Sequence, residues 1–305
     1  MSKKPKVGMW SGLTAVTAVL TAGAIVGTTV AFHYTTTVNN YLDADTYKII
    51  RGDSDEDTEY FKSDFTSDEE RESYEAELCA QVEAEGAALL KNDNNALPLA
   101  SGAKVSLFGH GSVDLMYGGT GSGSVDTSKA PNFKQALEDQ GIQVNSTLWD
   151  LYSSDDMMKN YSRITPAAIS DTLEANTQYA VNEAPWSKLS SAESSFADYG
   201  DAAIVVFSRS GGEGADLPSG ENGTNDSWIK GQEGDGNYLA LSAEEKELLQ
   251  NLKTLKDNGT FKKIIVLINS SNAIEMDFLN PEICGEDYGI DSAMWIGDVG
   301  QTDIN

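Results

Sequence analysis

The run Ala202-Ala-Ile-Val-Val-Phe207 constrains the fold of this chain more than any other segment. All of its residues are apolar, so a strand formed by them would be apolar on both faces. Such a strand is typical of the centre of a parallel sheet that helices cover on both sides. The run therefore predicts a sheet with two buried faces.

The segments around this run alternate between helix and strand patterns. Ser242-Ala-Glu-Glu245 is a capping box that predicts a helix ending near Asp257, and the apolar residues of Phe261–Ile268 predict the next strand. Further strands are predicted over 104–108, 142–144 and 292–296, and further helices over 67 to about 92 and 132–140. This alternation predicts an α/β fold, with a mainly parallel sheet sandwiched by helices.

A long uncharged segment lies near the amino terminus. Val7–Phe32 contains no charged residue, and it follows Lys3, Lys4 and Lys6. As a helix it would extend about 39 Å, enough to cross a hydrocarbon core of ~30 Å. The preceding lysines then predict a cytoplasmic tail (1–6), a single transmembrane anchor (7–32) in the cell membrane and an extracellular globular part. A cleaved signal peptide and a buried helix of a soluble domain are the alternatives.

The rest of the chain is acidic, and the chain as a whole has a formal net charge of −27. This charge argues against nucleic acid as a partner, because a phosphate backbone requires a basic surface. Residues 33–66 predict an acidic stalk. The triplet Asp53, Asp55 and Asp57 resembles the start of a calcium loop, but the Gly and Glu of that motif are missing.

The chain contains two cysteines and two histidines, which is too few for a disulfide scaffold or for most zinc sites. Carboxylates are therefore the expected agents of any chemistry, and no metal or other cofactor is expected.

The loop after the Ala202–Phe207 strand carries the main candidate, Glu213. Open α/β sheets bind ligands beyond the carboxyl ends of their strands, and glycines on both sides of Glu213 would let a substrate approach the backbone. From the residues alone, a surface Glu in a flexible loop is the alternative. Arg209 is expected either to contact substrate or to anchor this loop.

A second glycine-rich loop, Gly118–Gly123, is expected near the site through Gly119, Gly121 and Gly123, although flexibility alone would also explain its composition. The weaker candidates are His110, Asp126 and Trp228, and Cys79 is expected in the core.

Six segments, in order along the chain, resemble the α/β sandwich domain of glycoside hydrolase family 3, the β-glucosidase group. They are Glu85–Asn92 with Ala96–Leu99, Val105–Gly109, Gly118–Gly123, Ile204–Gly214, Leu241–Leu249 and Trp295–Gln301. The resemblance covers residues 67–305 and suggests a domain that is incomplete at its C-terminus. Its position after a predicted membrane span is similar to that in permuted members, in which a TIM-like barrel follows this domain.

The resemblance implies a retaining β-glycosidase, specifically a β-glucosidase, whose substrates are oligosaccharides or β-glucosides with terminal β-linked sugars. Glu213 matches the acid/base Glu of the family, and Asp216 matches a substrate-binding position. The Asp nucleophile would lie in the missing barrel domain, so the 305-residue fragment is expected to be inactive alone. The alternative function is a non-catalytic surface module that binds carbohydrate or a protein partner.

Overall fold

The computed structural model describes residues 7–42, 63–128, 130–165, 179–213, 217 and 237–300. The chain divides into two compact units, Met1–Asp64 and Phe65–Asn305. The acidic triplet of the predicted stalk and the candidates Asp216 and Trp228 lie outside the described residues.

In the first unit the described residues form two helices, α1 (Val7–His33) and α2 (Thr35–Tyr41). By length and composition, Trp10–His33 could cross a membrane, with a mean hydropathy of 1.8, and a signal sequence near the N-terminus would pass the same test. Threonine hydroxyls within α1 donate to the carbonyl four residues earlier, as Thr14 and Thr28 do at 2.9 and 2.8 Å. These hydroxyls therefore need no water.

The second unit is built on a mixed six-stranded sheet in the order β1-β6-β5-β4-β2-β3. The strands are β1 (Ala88–Asn92), β2 (Lys104–Phe108), β3 (Gln143–Val144), β4 (Ala202–Ser208), β5 (Ile264–Asn269) and β6 (Ser292–Trp295). Within this sheet β1 runs antiparallel to β6, and every other neighbouring pair is parallel. The predicted α/β fold is therefore confirmed, with one antiparallel strand at its edge.

The described residues of this unit form six α-helices: α3 (Asp68–Gly86), α4 (Phe133–Asp139), α5 (Ser146–Tyr152), α6 (Asp155–Asn160), α7 (Ala243–Asp257) and α8 (Pro281–Cys284). The predicted capping box of α7 is present, because Ser242 accepts from the Glu245 N–H and the Glu245 carboxylate accepts from the Ser242 N–H. Each bond satisfies a backbone donor that a helix start leaves open.

Strand β4 lies between β2 and β5, and all seven of its residues are buried. On one face, Val205 and Phe207 belong to the same apolar cluster as Leu248 and Leu252 of α7. On the other face, Ile204 packs in a cluster with partners that include Leu107 of β2 and Leu137 of α4. Burying one such side chain stabilises the fold by roughly 1.5–3 kcal/mol. The prediction that this strand is central is confirmed.

The prediction of one helix from 67 to about 92 is wrong at its C-terminal end. Helix α3 ends at Gly86, Ala87 is extended, and the next residues form β1, in which Leu89 pairs with Met294 of β6. None of the side chains of α3 is buried, and its apolar residues Tyr74, Leu78 and Val82 are exposed. The helix pattern was correctly recognised, but it does not contribute to the core.

Candidate active site

The loops that follow β2, β4, β5 and β6 are joined at the carboxyl edge of the sheet by Asn269, the last residue of β5. Its side-chain oxygen accepts from the Met116 N–H at 2.6 Å and from the Ser208 hydroxyl at 2.9 Å. Its side-chain nitrogen donates to the carbonyls of Met116 and Gly297 at 3.0 and 2.7 Å. This buried amide therefore fixes the edge at which ligands bind in open α/β sheets.

Arg209 holds the base of the loop after β4. Its side chain is fully buried, and all five N–H groups of the guanidinium are bonded. Nε donates to the Tyr238 carbonyl at 2.7 Å, and the terminal nitrogens donate to the carbonyls of Ser208 and Ala240 and to both oxygens of Glu245. Arg209 therefore has no N–H group left to donate to a substrate. Its geometry matches the other expectation, that it anchors the loop.

The partner of Arg209, Glu245, also caps α7, so one carboxylate links the loop to the start of that helix. The sequence marked Glu245 only as part of the capping box. Tyr238 adds a second brace, because its hydroxyl accepts from the Ser210 N–H at 2.8 Å and lies 3.0 Å from the Ser210 carbonyl. The base of the loop is therefore fixed through buried side chains that are distant in sequence.

The glycine-rich loop packs against the first residues of the loop after β4. Thr120 and Gly212 form an isolated parallel bridge, in which the Thr120 N–H donates to the Gly211 carbonyl at 3.3 Å. A Cβ atom on Gly121, whose φ is +68°, would lie 2.8 Å from the Cβ of Glu213. Gly121 therefore permits a contact that a larger residue would prevent.

The three glycines of this loop differ in what they contact. A Cβ on Gly119 would lie 3.4 Å from the Gly211 carbonyl oxygen, so this residue also faces the loop after β4. A Cβ on Gly123 would meet nothing within 4 Å. The structure thus brings Gly119 and Gly121 to Glu213 and its loop, whereas Gly123 faces open space.

Glu213 is exposed, and its carboxylate is held by Ser122. The Ser122 N–H and hydroxyl both donate to Oε2, at 3.0 and 2.5 Å. These two donors hold the pKa of the Glu213 carboxyl below its usual range, because they stabilise the charged form. A general acid requires the opposite shift, and for an exposed carboxyl such a shift would have to come from a neighbouring negative charge.

The weaker candidates take structural places. His110 is buried in the turn after β2, and its Nε2 lies 2.9 Å from Asp114, which also pairs with Arg163 at 3.0 Å. Asp126 is exposed and accepts from the Ser128 N–H at 2.9 Å. Cys79 lies half-buried on α3 rather than in a core cluster.

Sequence reasoning missed one buried acid at this edge, Glu183. Its carboxylate accepts from the N–H groups of His110 and Ala184 at 2.7 and 3.0 Å. Burial raises the pKa of this carboxyl to about 8, because it disfavours the charged form. Residues 179–184 are all buried, which is a property of the fold and not a signal in the sequence.

Among the described residues no group of three or more His, Cys, Asp or Glu side chains is arranged to hold a metal ion. The described side chains at this edge that could take part in chemistry include carboxylates and hydroxyls. The exposed one, Glu213, can exchange protons with a ligand, whereas the buried Glu183 and Glu245 serve the loops beneath it.

Comparisons with known proteins agree with this architecture. A family model described as the glycosyl hydrolase family 3 C-terminal domain matches residues 87–302. Beta-glucosidase A of Butyrivibrio fibrisolvens is 31% identical over 216 residues, which are 65% of this chain and 23% of that protein. A beta-glucosidase of Ruminococcus albus is 29% identical over 229 residues, which are 74% of this chain and 20% of that protein.

Among solved structures, beta-glucosidase 3B from Thermotoga neapolitana in complex with alpha-D-glucose is 25% identical, with a TM-score of 0.54. The alignment covers 76% of this chain and 28% of that one. The chain therefore spans about a quarter of the length of its relatives. Since the family model matches most of the residues, the chain belongs to glycosyl hydrolase family 3, of which it carries the C-terminal-type domain.

Proposed function

We propose that this chain is the acid/base half of a retaining β-glycosidase that acts on terminal β-linked glucosides. The observation that carries the proposal is the exposed carboxylate of Glu213, held at the carboxyl edge of the sheet by two interlocked loops. Two relatives described as beta-glucosidases support the substrate class.

Retaining hydrolysis uses two carboxyl groups ~5–5.5 Å apart. In the first step Glu213 would protonate the glycosidic oxygen while a second carboxylate attacks the anomeric carbon and forms a glycosyl-enzyme. In the second step the Glu213 carboxylate would take a proton from a water molecule whose oxygen attacks the anomeric carbon, which breaks the bond to the second carboxylate and releases the sugar. Family resemblance assigns the nucleophile to an Asp on a TIM-like barrel, and its negative charge would raise the pKa of Glu213 toward the value an acid needs. We call this chain joined to that barrel the complete enzyme.

The test is Glu213→Ala in the complete enzyme. Hydrolysis of cellobiose, which has a poor leaving group, should fall by about 10²–10⁴-fold, the range of general acid–base catalysis. An activated aryl glucoside should form the glycosyl-enzyme at nearly the normal rate, the intermediate should accumulate, and azide should restore turnover. The matched control is Glu282→Ala, which removes an exposed carboxylate of α8 and should leave both substrates unaffected.

Two further results would change the proposal. Equal losses on both substrates without azide rescue would show that Glu213 is structural. Binding of sugars by the complete protein without any hydrolysis would favour the alternative, a non-catalytic surface module. The 305-residue chain alone should hydrolyse neither substrate, because the nucleophile is outside it.

We also propose that α1 anchors the protein in the cell membrane with the second unit outside. The helix has the length and hydropathy of a span, and Lys3, Lys4 and Lys6 precede it. The chain should sediment with membranes after carbonate washing, and protease added to intact cells should digest residues 65–305. Release of a shortened soluble protein into the medium would instead identify a cleaved signal peptide.

A further inference from the structure

The contact between Ser122 and Glu213 joins two loops that lie 91 residues apart in sequence. The glycine-rich loop binds the main chain of Glu213 as well as its side chain, since the Thr120 hydroxyl lies 3.2 Å from the Glu213 carbonyl oxygen. The same hydroxyl lies 3.1 Å from that of Tyr179, which is fully buried. The loop is therefore tied to the core on one side and to Glu213 on the other.

The hydrogen bonds to the carboxylate are asymmetric. Both donors of Ser122 reach Oε2, and within the described residues Oε1 receives none. An acid/base carboxyl exchanges its proton with substrate through one oxygen. Because Oε2 is held by Ser122, the direction in which Oε1 points is fixed as well.

We propose that Ser122 is a positioning residue that fixes the rotamer of Glu213 and leaves Oε1 to face the glycosidic oxygen. The inference rests on the proposed acid/base role of Glu213. Ser122 touches the carboxylate but no reacting atom of the sugar. Its donors favour the ionised form, which is the form that the second step of hydrolysis uses.

Among the described residues, the donors of Ser122 have the largest influence on the pKa of Glu213. Arg209, on the same loop, is occupied by Glu245, and Asp126, which follows the glycine-rich loop, is exposed beside Ser128. The Tyr179 hydroxyl contacts the hydroxyl of Thr120 rather than the Glu213 carboxylate. Among the described residues, no charged side chain forms an ion pair with Glu213.

The first arm of the test measures the carboxyl itself. In the 305-residue chain, ¹³C NMR should follow the titration of Glu213, assigned from the spectrum of Glu213→Gln. Ser122→Ala removes the hydroxyl donor and should move the Glu213 pKa upward, whereas Ser122→Thr keeps a hydroxyl and should restore it. Ser124→Ala, in an exposed residue just beyond the loop, should have no effect. An unchanged titration in Ser122→Ala would overturn the proposal.

The second arm uses the complete enzyme. Ser122→Ala should move the basic limb of the kcat/KM profile for cellobiose to higher pH and lower kcat/KM at the optimum by about 10-fold, because the donor is less well oriented. Ser122→Thr should restore both, and Ser124→Ala should resemble the parent enzyme. If the titration of Glu213 moves but the pH profile does not, the contact is real and Glu213 is not the proton donor. That result would overturn the acid/base role on which the inference rests.

Discussion

One carboxylate holds the base of the loop after β4, another is exposed on that loop, and their surroundings are opposite. Glu245 is 1% exposed, and both of its oxygens accept from Arg209. Glu213 is exposed and receives two donors on one oxygen from Ser122. The Glu245 carboxylate is neutralised by a buried cation and serves the fold, whereas one oxygen of Glu213 accepts no hydrogen bond from the described residues. The comparison teaches that the base of this loop is fixed by a buried ion pair, whereas its exposed carboxylate is held by hydrogen bonds from a neighbouring loop.

The largest effect should follow from breaking the ion pair between Arg209 and Glu245. Arg209→Met would leave Glu245 as a buried, uncompensated charge, which typically costs about 3–5 kcal/mol. We expect that loss in the free energy of unfolding, measured by urea denaturation. The matched control is Lys262→Met, which breaks an ion pair with Asp201 whose lysine is 73% exposed and should cost less than about 1 kcal/mol. Equal losses would mean that the buried pair does not hold the loop.

The next effect concerns the buried carboxyl of Glu183, whose contribution to the free energy of unfolding depends on pH. Its folded pKa of about 8 lies above the unfolded value, so the folded state retains a proton that the unfolded chain releases. The stabilisation is complete below the unfolded pKa of ~4.3 and is lost as the pH rises toward 8, by up to about 1.4 kcal/mol per pH unit. Above pH 8 the loss should level off.

Glu183→Gln should remove this part of the pH dependence, because the amide does not titrate. The measurement is the urea midpoint of both proteins between pH 5 and 9. Parallel curves for the two proteins would contradict a buried neutral carboxyl at this position.

The smallest effect should come from disturbing the contact between Gly121 and Glu213. Gly121→Ala places a Cβ against Glu213 at a positive φ, and the left-handed backbone alone costs a non-glycine residue about 1–2 kcal/mol. Gly123→Ala is the matched control, since its Cβ would meet open space. Unfolding by urea should show a loss for the first variant and almost none for the second. The same loss in both would mean that the loop does not pack against Glu213.

The parts of the fold that the sequence predicted well are local. The capping box at Ser242 and the apolar run of β4 depend on neighbouring residues, so their patterns are complete within a short window. Strand β1 was missed because it follows α3 after a single extended residue, Ala87, and because Met294, the partner of Leu89, is far along the chain. Short-range periodicity does not encode that pairing.

In the candidate site, too, some features follow from a local pattern and others depend on residues that are distant in sequence. Glu213 was located from its place after a central strand and from family resemblance, and its acid/base role stays a prediction. The ion pair of Arg209 depends on which carboxylate the fold brings to it, and both Glu245 and Glu183 lie outside the loop. Ser122 was not singled out, because its contact exists only once two glycine-rich loops meet.

The pairing of β1 with β6 has a consequence for biosynthesis. Residues 88–92 leave the ribosome about 200 residues before 292–295, which is ~10–40 s at the usual rates of translation. During that interval the backbone of the future edge strand has no partner, and Leu89 and Leu90, which are still 51% and 42% exposed in the folded domain, add apolar surface beside it. Unpaired strand edges are templates for aggregation. Chaperone cover should therefore matter most for this chain in the interval between the synthesis of its first strand and that of its last.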